Sequence, residues 1–424
     1  DSLLVTSGPA GSSAMQSISQ ISDANFEFQF DPNSWILSRG EIYKIPEINN
    51  AYAADGKVVI FWNEFWEGIE VDGYNIYRSL TIDGEFTKLN NELITETHFE
   101  DNSVGNGTTY YYKIKAIKYE NFASVFSEIY EATPIEFPMN QGILVIDETK
   151  DGIGVPGNPS DEMVDEFYQN AVNTEFTEYD YSANGSPLLD FLADYSTIIW
   201  HDDDISENFI ADNINNLGCY LASGGNLIIS GWKTISEIPD NFLRDFLSCE
   251  ESEFATGFEF LSASSTEYEN LSVDADKLPA PFNGTLPYVC VFPSVENGIY
   301  IYEGIDGSSY DGEVCAIKSI SNGTFILLGF PLYYCYDDEV NQFFGQLLQE
   351  MGEITLYGDV DGDYEVTSFD AALTLQYSAG LISNWEDWQI IAANVNGDEN
   401  VSSFDAALIL QYSAGLIDEF PVEE

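Results

Sequence analysis

The chain has 424 residues and a formal charge of −60, from 13 basic against 73 acidic side chains. Such a field repels phosphate backbones and anionic lipid, which excludes nucleic acid and membrane-surface partners. Hydrophobic and aromatic shares of 44% and 14% exclude a disordered chain, and at about 150 residues per domain the length predicts two to four domains.

The acidity suits surroundings rich in salt or divalent cations. No run of about 18 apolar residues offers a membrane span. The start at Asp1, without a leader, is what a secreted or cell-surface chain is expected to show once its signal is removed.

Residues 1–35 read as an N-terminal arm, loose at first and then NFEFQF, where Phe26, Phe28 and Phe30 alternate with polar residues. A period of two predicts a strand with one apolar face, to be paired within its own chain or added head to tail to a neighbour's sheet. Residues 36–137 read as short strands: KVVIFW, YNIYRS, EFTKLN, THFED, TTYYYKIKAI and SEIYEATP, separated by DG, GNG and EN turns. Trp62, GYNIYRS, GTTYYYKIKA and the closing ATP give this stretch a resemblance to a fibronectin type III domain, which implies a β-sandwich serving as spacer or binding surface. Trp62 and Tyr112 are expected in its core.

Residues 138–353 change to apolar strands alternating with helical periods. GILVID, STIIWHDD, NLIISGW and TFILLGF predict buried parallel strands; DEMVDEFYQNAV, ENFIADNINNLGCYLAS and NQFFGQLLQEMG predict amphipathic helices. The topology and the GGNLIISGW turn resemble the flavodoxin-like core of the class I glutamine amidotransferase superfamily, which implies an α/β doubly wound sheet. Residues 250–320 fit it as an insertion. The family's nucleophilic Cys is absent: Ser230 or Gly231 stands on that turn. With two histidines in the chain, and His98 in the sandwich, the catalytic arrangement open to this domain is Ser230, His201 and Asp202. A cation on Asp202, Asp203 and Asp204, or aspartates capping the next helix, are the alternatives, and a degenerate, non-catalytic domain is expected. The five cysteines, Cys219, Cys249, Cys290, Cys315 and Cys335, lack CxxC spacing and read as one or two disulfides or as buried thiols.

Residues 354–424 hold a near-repeat, GDVDGDYEVTSFDAALTLQYSAGLI and ANVNGDENVSSFDAALILQYSAGLI, 35 residues apart. A calcium loop surrounds its ion with oxygens from positions 1, 3, 5, 7, 9 and 12. The first copy offers Asp359, Asp361, Asp363, the carbonyl of Glu365, Thr367 and Asp370; the second offers Asn394, Asn396, Asp398, the carbonyl of Asn400, Ser402 and Asp405. With four carboxylates against two, the second of the two ions is expected to bind more weakly. Position 6, usually Gly, is Tyr364 and Glu399.

A loop and exit helix used twice without an entering helix resembles the type I dockerin domain, a small all-α module. That implies a cohesin-like protein partner, met through positions 10 and 11, here Ser368, Phe369, Ser403 and Phe404. The two helices packing on each other is the alternative reading. Asn-x-Ser/Thr triplets at Asn106, Asn184, Asn270, Asn283, Asn322 and Asn400 offer glycan attachment or simple turns. The whole reads as an extracellular bacterial structural or adhesive protein. It is expected to be stabilised by calcium and to assemble with itself, as a filament, or with a cohesin. A hydrolase or transferase on the α/β domain is the other class.

Overall fold

The computed structural model describes strands within residues 29–44 and then residues 46–422, apart from 65–70, 119–122, 151, 206–208, 233, 297, 363–364, 386 and 399. It is multidomain and sheet-rich. Two compact units emerge, residues 1–137 with 218–223, and residues 138–217 with 224–424.

The first unit begins with a three-stranded meander, β1 (Gln29–Phe30), β2 (Trp35–Ser38) and β3 (Glu41–Lys44), in which Phe30 stands opposite Trp35 of the same chain. Phe26 and Phe28 lie outside the described residues. Seven strands follow: β4 (Ile48–Ala54), β5 (Lys57–Trp62), β6 (Gly73–Ser79), β7 (Thr87–Lys88), β8 (His98–Asp101), β9 (Tyr110–Ile117) and β10 (Tyr130–Ala132). They form two antiparallel sheets, β4-β5-β8 and β10-β9-β6-β7. In β9 every second residue is buried (Tyr110, Tyr112, Ile114, Ala116), as a strand with one apolar face requires.

Trp62 of one sheet meets Tyr74 of the other edge-on, ring centroids 5.3 Å apart. Tyr112 donates to Asp101 Oδ2 at 2.9 Å, and Arg78 holds the same oxygen at 2.5 Å. Strand β4, INNAYAA, escaped the sequence reading because Asn and Ala are poor strand formers and only cross-strand packing holds them extended.

The second unit is built on one ten-stranded sheet. Its parallel half contains β11 (Ile143–Asp147), β12 (Phe176–Asp180), β13 (Thr197–Asp202), β14 (Asn226–Gly231) and β20 (Thr324–Leu328), in the order β12-β11-β13-β14-β20. Four of these are the predicted apolar runs, buried along nearly their whole length as strands covered on both faces are. The fifth, β12, is a half-exposed edge, too polar to stand out.

Residues 250–320, expected as an insertion, lie in the chain between β14 and β20. They continue the same sheet antiparallel, through β15 (Glu253–Ser264), β16 (Leu271–Ser272), β17 (Leu286–Val291), β18 (Tyr300–Gly304) and β19 (Val314–Ile320). Helix α1 (Asp161–Val172) buries Val164, Phe167, Tyr168, Ala171 and Val172, an i, i+3, i+4, i+7, i+8 stripe. Short helices α2 (Tyr181–Asn184) and α3 (Leu189–Leu192), then α4 (Ile214–Ala222), whose residues from Gly218 on group with the first unit, α5 (Asp240–Leu247) and α6 (Asp337–Glu350) follow in this part of the chain. All five cysteines are free and buried, so the disulfide alternative is not taken up.

The C-terminal module consists of α7 (Ser368–Ser378), α8 (Asp387–Ala393) and α9 (Ser403–Ser413) with the two loops before α7 and α9. The repeat extends to its aromatic packing: Tyr377 stacks on Trp385 at 4.2 Å and, 35 residues on, Tyr412 stacks on Phe420 at 4.6 Å. Phe420 shares a buried cluster with Ala371, Val395 and Ile409, against which Tyr357 also packs, so the end of the module closes onto its beginning.

Candidate calcium and docking site

In the first loop Asp359, Asp361 and Asp370 bring carboxylate oxygens within 4.8 Å of one another. The loop turns through Gly362, whose φ of 78° needs a residue without a Cβ, and Gly397 repeats this at 70°. The glycine thus sits at position 4 of each loop, and the Tyr364 and Glu399 of position 6 lie outside the described residues, as does the proposed ligand Asp363.

Asp370 is fully buried and ties loop to helix. Its Oδ1 accepts from Val360 N at 2.9 Å and Asp361 N at 3.3 Å; its Oδ2 accepts from Thr367 N and Oγ1 at 2.8 and 2.9 Å. Thr367 in turn caps α7, its hydroxyl accepting from Phe369 N at 3.1 Å.

The second loop keeps this plan with fewer charges. Buried Asp405 accepts from Asn396 N at 3.2 Å and from Ser402 N and Oγ at 2.9 and 2.8 Å, and Ser402 caps α9. Asn396 Oδ1 accepts from Asp398 N and Asp398 Oδ1 from Asn400 N, at 2.9 and 3.1 Å. Asn394 Oδ1, at position 1, is buried and accepts no hydrogen bond from the described residues, an oxygen of the kind a hard cation satisfies. An all-oxygen donor set fits calcium in both loops. Two roles passed unread in the sequence although their signals were there: the capping boxes T-x-x-D and S-x-x-D at each helix start, and the aromatic partners Trp385 and Phe420.

The docking candidates Phe369 and Phe404 are both well exposed at the first turn of their helices, next to Ser368 and Ser403. On the inner side Ala371 and Thr374 of α7, and Ala406, Leu408 and Ile409 of α9, are buried.

In the α/β part the proposed Ser230–His201–Asp202 arrangement does not form. His201 and Ser230 are register partners on adjacent strands, but His201 Nδ1 takes Asp203 Oδ2 at 3.0 Å, with Asp147 Oδ1 at 3.5 Å. Strand alternation turns Asp202 to the other face of the sheet. Tyr168 stacks on the imidazole at 3.7 Å and lies 3.5 Å from Ser230 Oγ, and all of these groups are buried. Nor do Asp202, Asp203 and Asp204 converge on a cation: Asp203 Oδ1 accepts from Tyr333 N, and Asp204 Oδ2 from Lys150 N.

The second carboxylate cluster among the described residues is Asp147, Asp161 and Asp165, between the end of β11 and the start of α1. Burial pushes Asp147 up to about 6 against the pull of His201. Burial with repulsion from Glu178, Asp161 and Asp147 takes Asp165 to about 7. For His201, burial is outweighed by Asp147 and Asp203, and its pKa is raised.

Residues 357–413 match a dockerin type I domain. Dockerin type I domains bind calcium, and one at this place points to an extracellular assembly with a cohesin partner. Among solved structures, the ScaB dockerin of Acetivibrio cellulolyticus in complex with the third cohesin ScaC is similar at 39% identity, over 16% of this chain and 97% of that one, with a TM-score of 0.16. An Fn3-like protein from Clostridium thermocellum is similar at 23% identity over 22% of this chain and 92% of that one, TM-score 0.18. An amylopullulanase of Thermoanaerobacter thermohydrosulfuricus is 27% identical over 116 residues, which are 27% of this chain and 8% of that enzyme. No helix among the described residues is long and apolar enough to cross a membrane.

Proposed function

We propose that this is a secreted or cell-surface bacterial modular protein that its C-terminal module plugs into a larger assembly. The module takes two calcium ions, the second more weakly, and docks on a cohesin carried by another protein. One observation carries the reading: Asp359, Asp370 and Asp405 are fully buried in a segment, 354–424, that contains no Lys, Arg or His. Burial of a carboxylate is offset by hydrogen bonds, a proton or a cation, and no side chain of the module can provide the cation. Bound calcium supplies that charge. Asp370 and Asp405 then hold each loop to the first turn of its helix, while Thr367 and Ser402 cap that turn. The loops therefore set the positions of α7 and α9, and with them the exposed Ser368–Phe369 and Ser403–Phe404 pairs.

The rest of the chain is cargo or spacer in this reading. Two antiparallel sheets with Trp62 between them support a fibronectin-like sandwich. The strand order β12-β11-β13-β14-β20 supports a flavodoxin-like ancestry for the α/β part. His201 and Ser230 are sealed at 2% and 1% exposure, which favours a structural role for them. The test is binding of the full chain to a panel of type I cohesin domains, in calcium and in chelator. Binding confined to calcium is expected; a folded, calcium-loaded chain that captures none of them would overturn the docking reading. The second reading is a hydrolase, which the match to 8% of an amylopullulanase leaves open. Polysaccharide hydrolysis that disappears in a Ser230→Ala, His201→Ala variant would carry that one.

A further inference from the structure

Helices α7 and α9 are apolar on two faces. The inner face is buried within the module; the outer one is not. On α7 the outer stripe is Phe369, Ala372, Leu375 and Ala379, at steps of three and four, all exposed. On α9 it is Phe404, Ala407, Leu410 and Ala414, again all exposed. The two stripes are equal in presentation as well as in sequence: both phenylalanines are 58% exposed and the second-turn leucines 50%.

Each stripe is prolonged past its helix. Gly380 and Gly415 adopt φ of 70° and 64°, and the next residue donates back to the helix, Leu381 N to Gln376 O and Leu416 N to Gln411 O, both at 2.9 Å. An apolar residue in that place commonly packs back on the last turn. Here the last turn presents Gln376 and Gln411, and Leu381 and Leu416 remain 76% and 72% exposed.

The surroundings of the stripes are of one sign. Segment 354–424 holds fourteen Asp and Glu and no basic residue. Glu365, Asp418 and Glu419, none of them a side-chain ligand of the ions, are exposed in the loop before α7 and in the tail after α9. Two divalent ions would cancel only part of this charge. A second copy of the chain, itself at −60, is therefore repelled from the stripes.

Building on the docking reading above, we infer that the cohesin which receives this module has an apolar recess for the phenylalanine and leucines, bordered by Lys and Arg. The aromatic ring is the anchor, and the acidic rim fixes orientation and speeds encounter.

The experiment is surface-plasmon binding of the full chain, in calcium, to cohesin domains chosen in two sets: one with an apolar recess bordered by Lys and Arg, one with a polar or acidic face. Binding to the first set alone is expected. Its association rate should fall about tenfold from low to high salt, and its affinity at least about 30-fold in a Phe369→Ser, Phe404→Ser variant whose calcium-loaded melting temperature is unchanged. Equal binding to the second set, indifference to the double substitution, or dimerisation of the chain on its own would overturn the inference while leaving calcium-dependent docking intact. Capture by neither set overturns the docking reading itself.

Discussion

Two carboxylate clusters among the described residues lie under opposite regimes. Asp147, Asp161 and Asp165 gather at the end of a buried parallel strand beside His201, and burial and repulsion push Asp147 and Asp165 upward. Asp359, Asp361 and Asp370 gather in a loop with no basic side chain in the module, arranged around backbone N–H donors and a helix start. In the first cluster burial and repulsion favour the protonated forms of Asp147 and Asp165; the second, in the reading proposed above, shares a cation. Similar acids thus answer pH and calcium in opposite senses because of what surrounds them.

The largest expected effect is chelation. Removing calcium should abolish the helical signal of residues 354–424 and leave the melting of the sandwich and α/β parts in place; helices that survive in excess chelator would erase the contrast. Next, His201→Ala strands Asp147 and Asp203 without their partner and should cost about 3 kcal/mol in urea unfolding. A loss under about 1 kcal/mol would mean the histidine does not hold that cluster.

The pH dependence follows in size. Asp147 at about 6, Glu148 at about 7 and Asp165 at about 7 all bind protons more readily when folded, so their contribution is full below about pH 4 and is lost as pH rises through 6 to 7. His201, also raised, acts in the same direction, its share being lost as pH rises through its folded value. The α/β part should therefore melt lower at pH 8 than at pH 5, while calcium affinity, which needs ionised carboxylates, should be higher at pH 8. Scanning calorimetry and calcium titration at both values check the pair.

Adding charge to the second loop, Asn394→Asp with Asn396→Asp, should tighten its ion about tenfold, on the order of 1–2 kcal/mol for close charges in a solvated site; isothermal titration would then show two near-equal events in place of a strong and a weak one. The smallest effect separates the two helices. Thr374 of α7, in the place of Ile409 of α9, buries a hydroxyl that makes no hydrogen bond among the described residues. Thr374→Val should stabilise the calcium-loaded module by about 1 kcal/mol, read from its melting temperature.

What the sequence determined is what short-range chemistry determines. The oxygen spacing of the two loops, the 35-residue repeat, the alternation of β9 and the apolar runs of the parallel strands each follow from a local period or donor set, so they could be read one segment at a time. What only the tertiary structure decided depends on residues far apart. His201 takes Asp203 and Asp147 rather than Asp202, because a strand turns neighbours to opposite faces and brings β11 alongside β13. Residues 250–320 join the same sheet, because edge pairing depends on partners and not on local pattern. Phe369 and Phe404 stay outside while Ala371 and Ala406 go in, because a helix that is apolar on two faces has its buried face chosen by what packs against it.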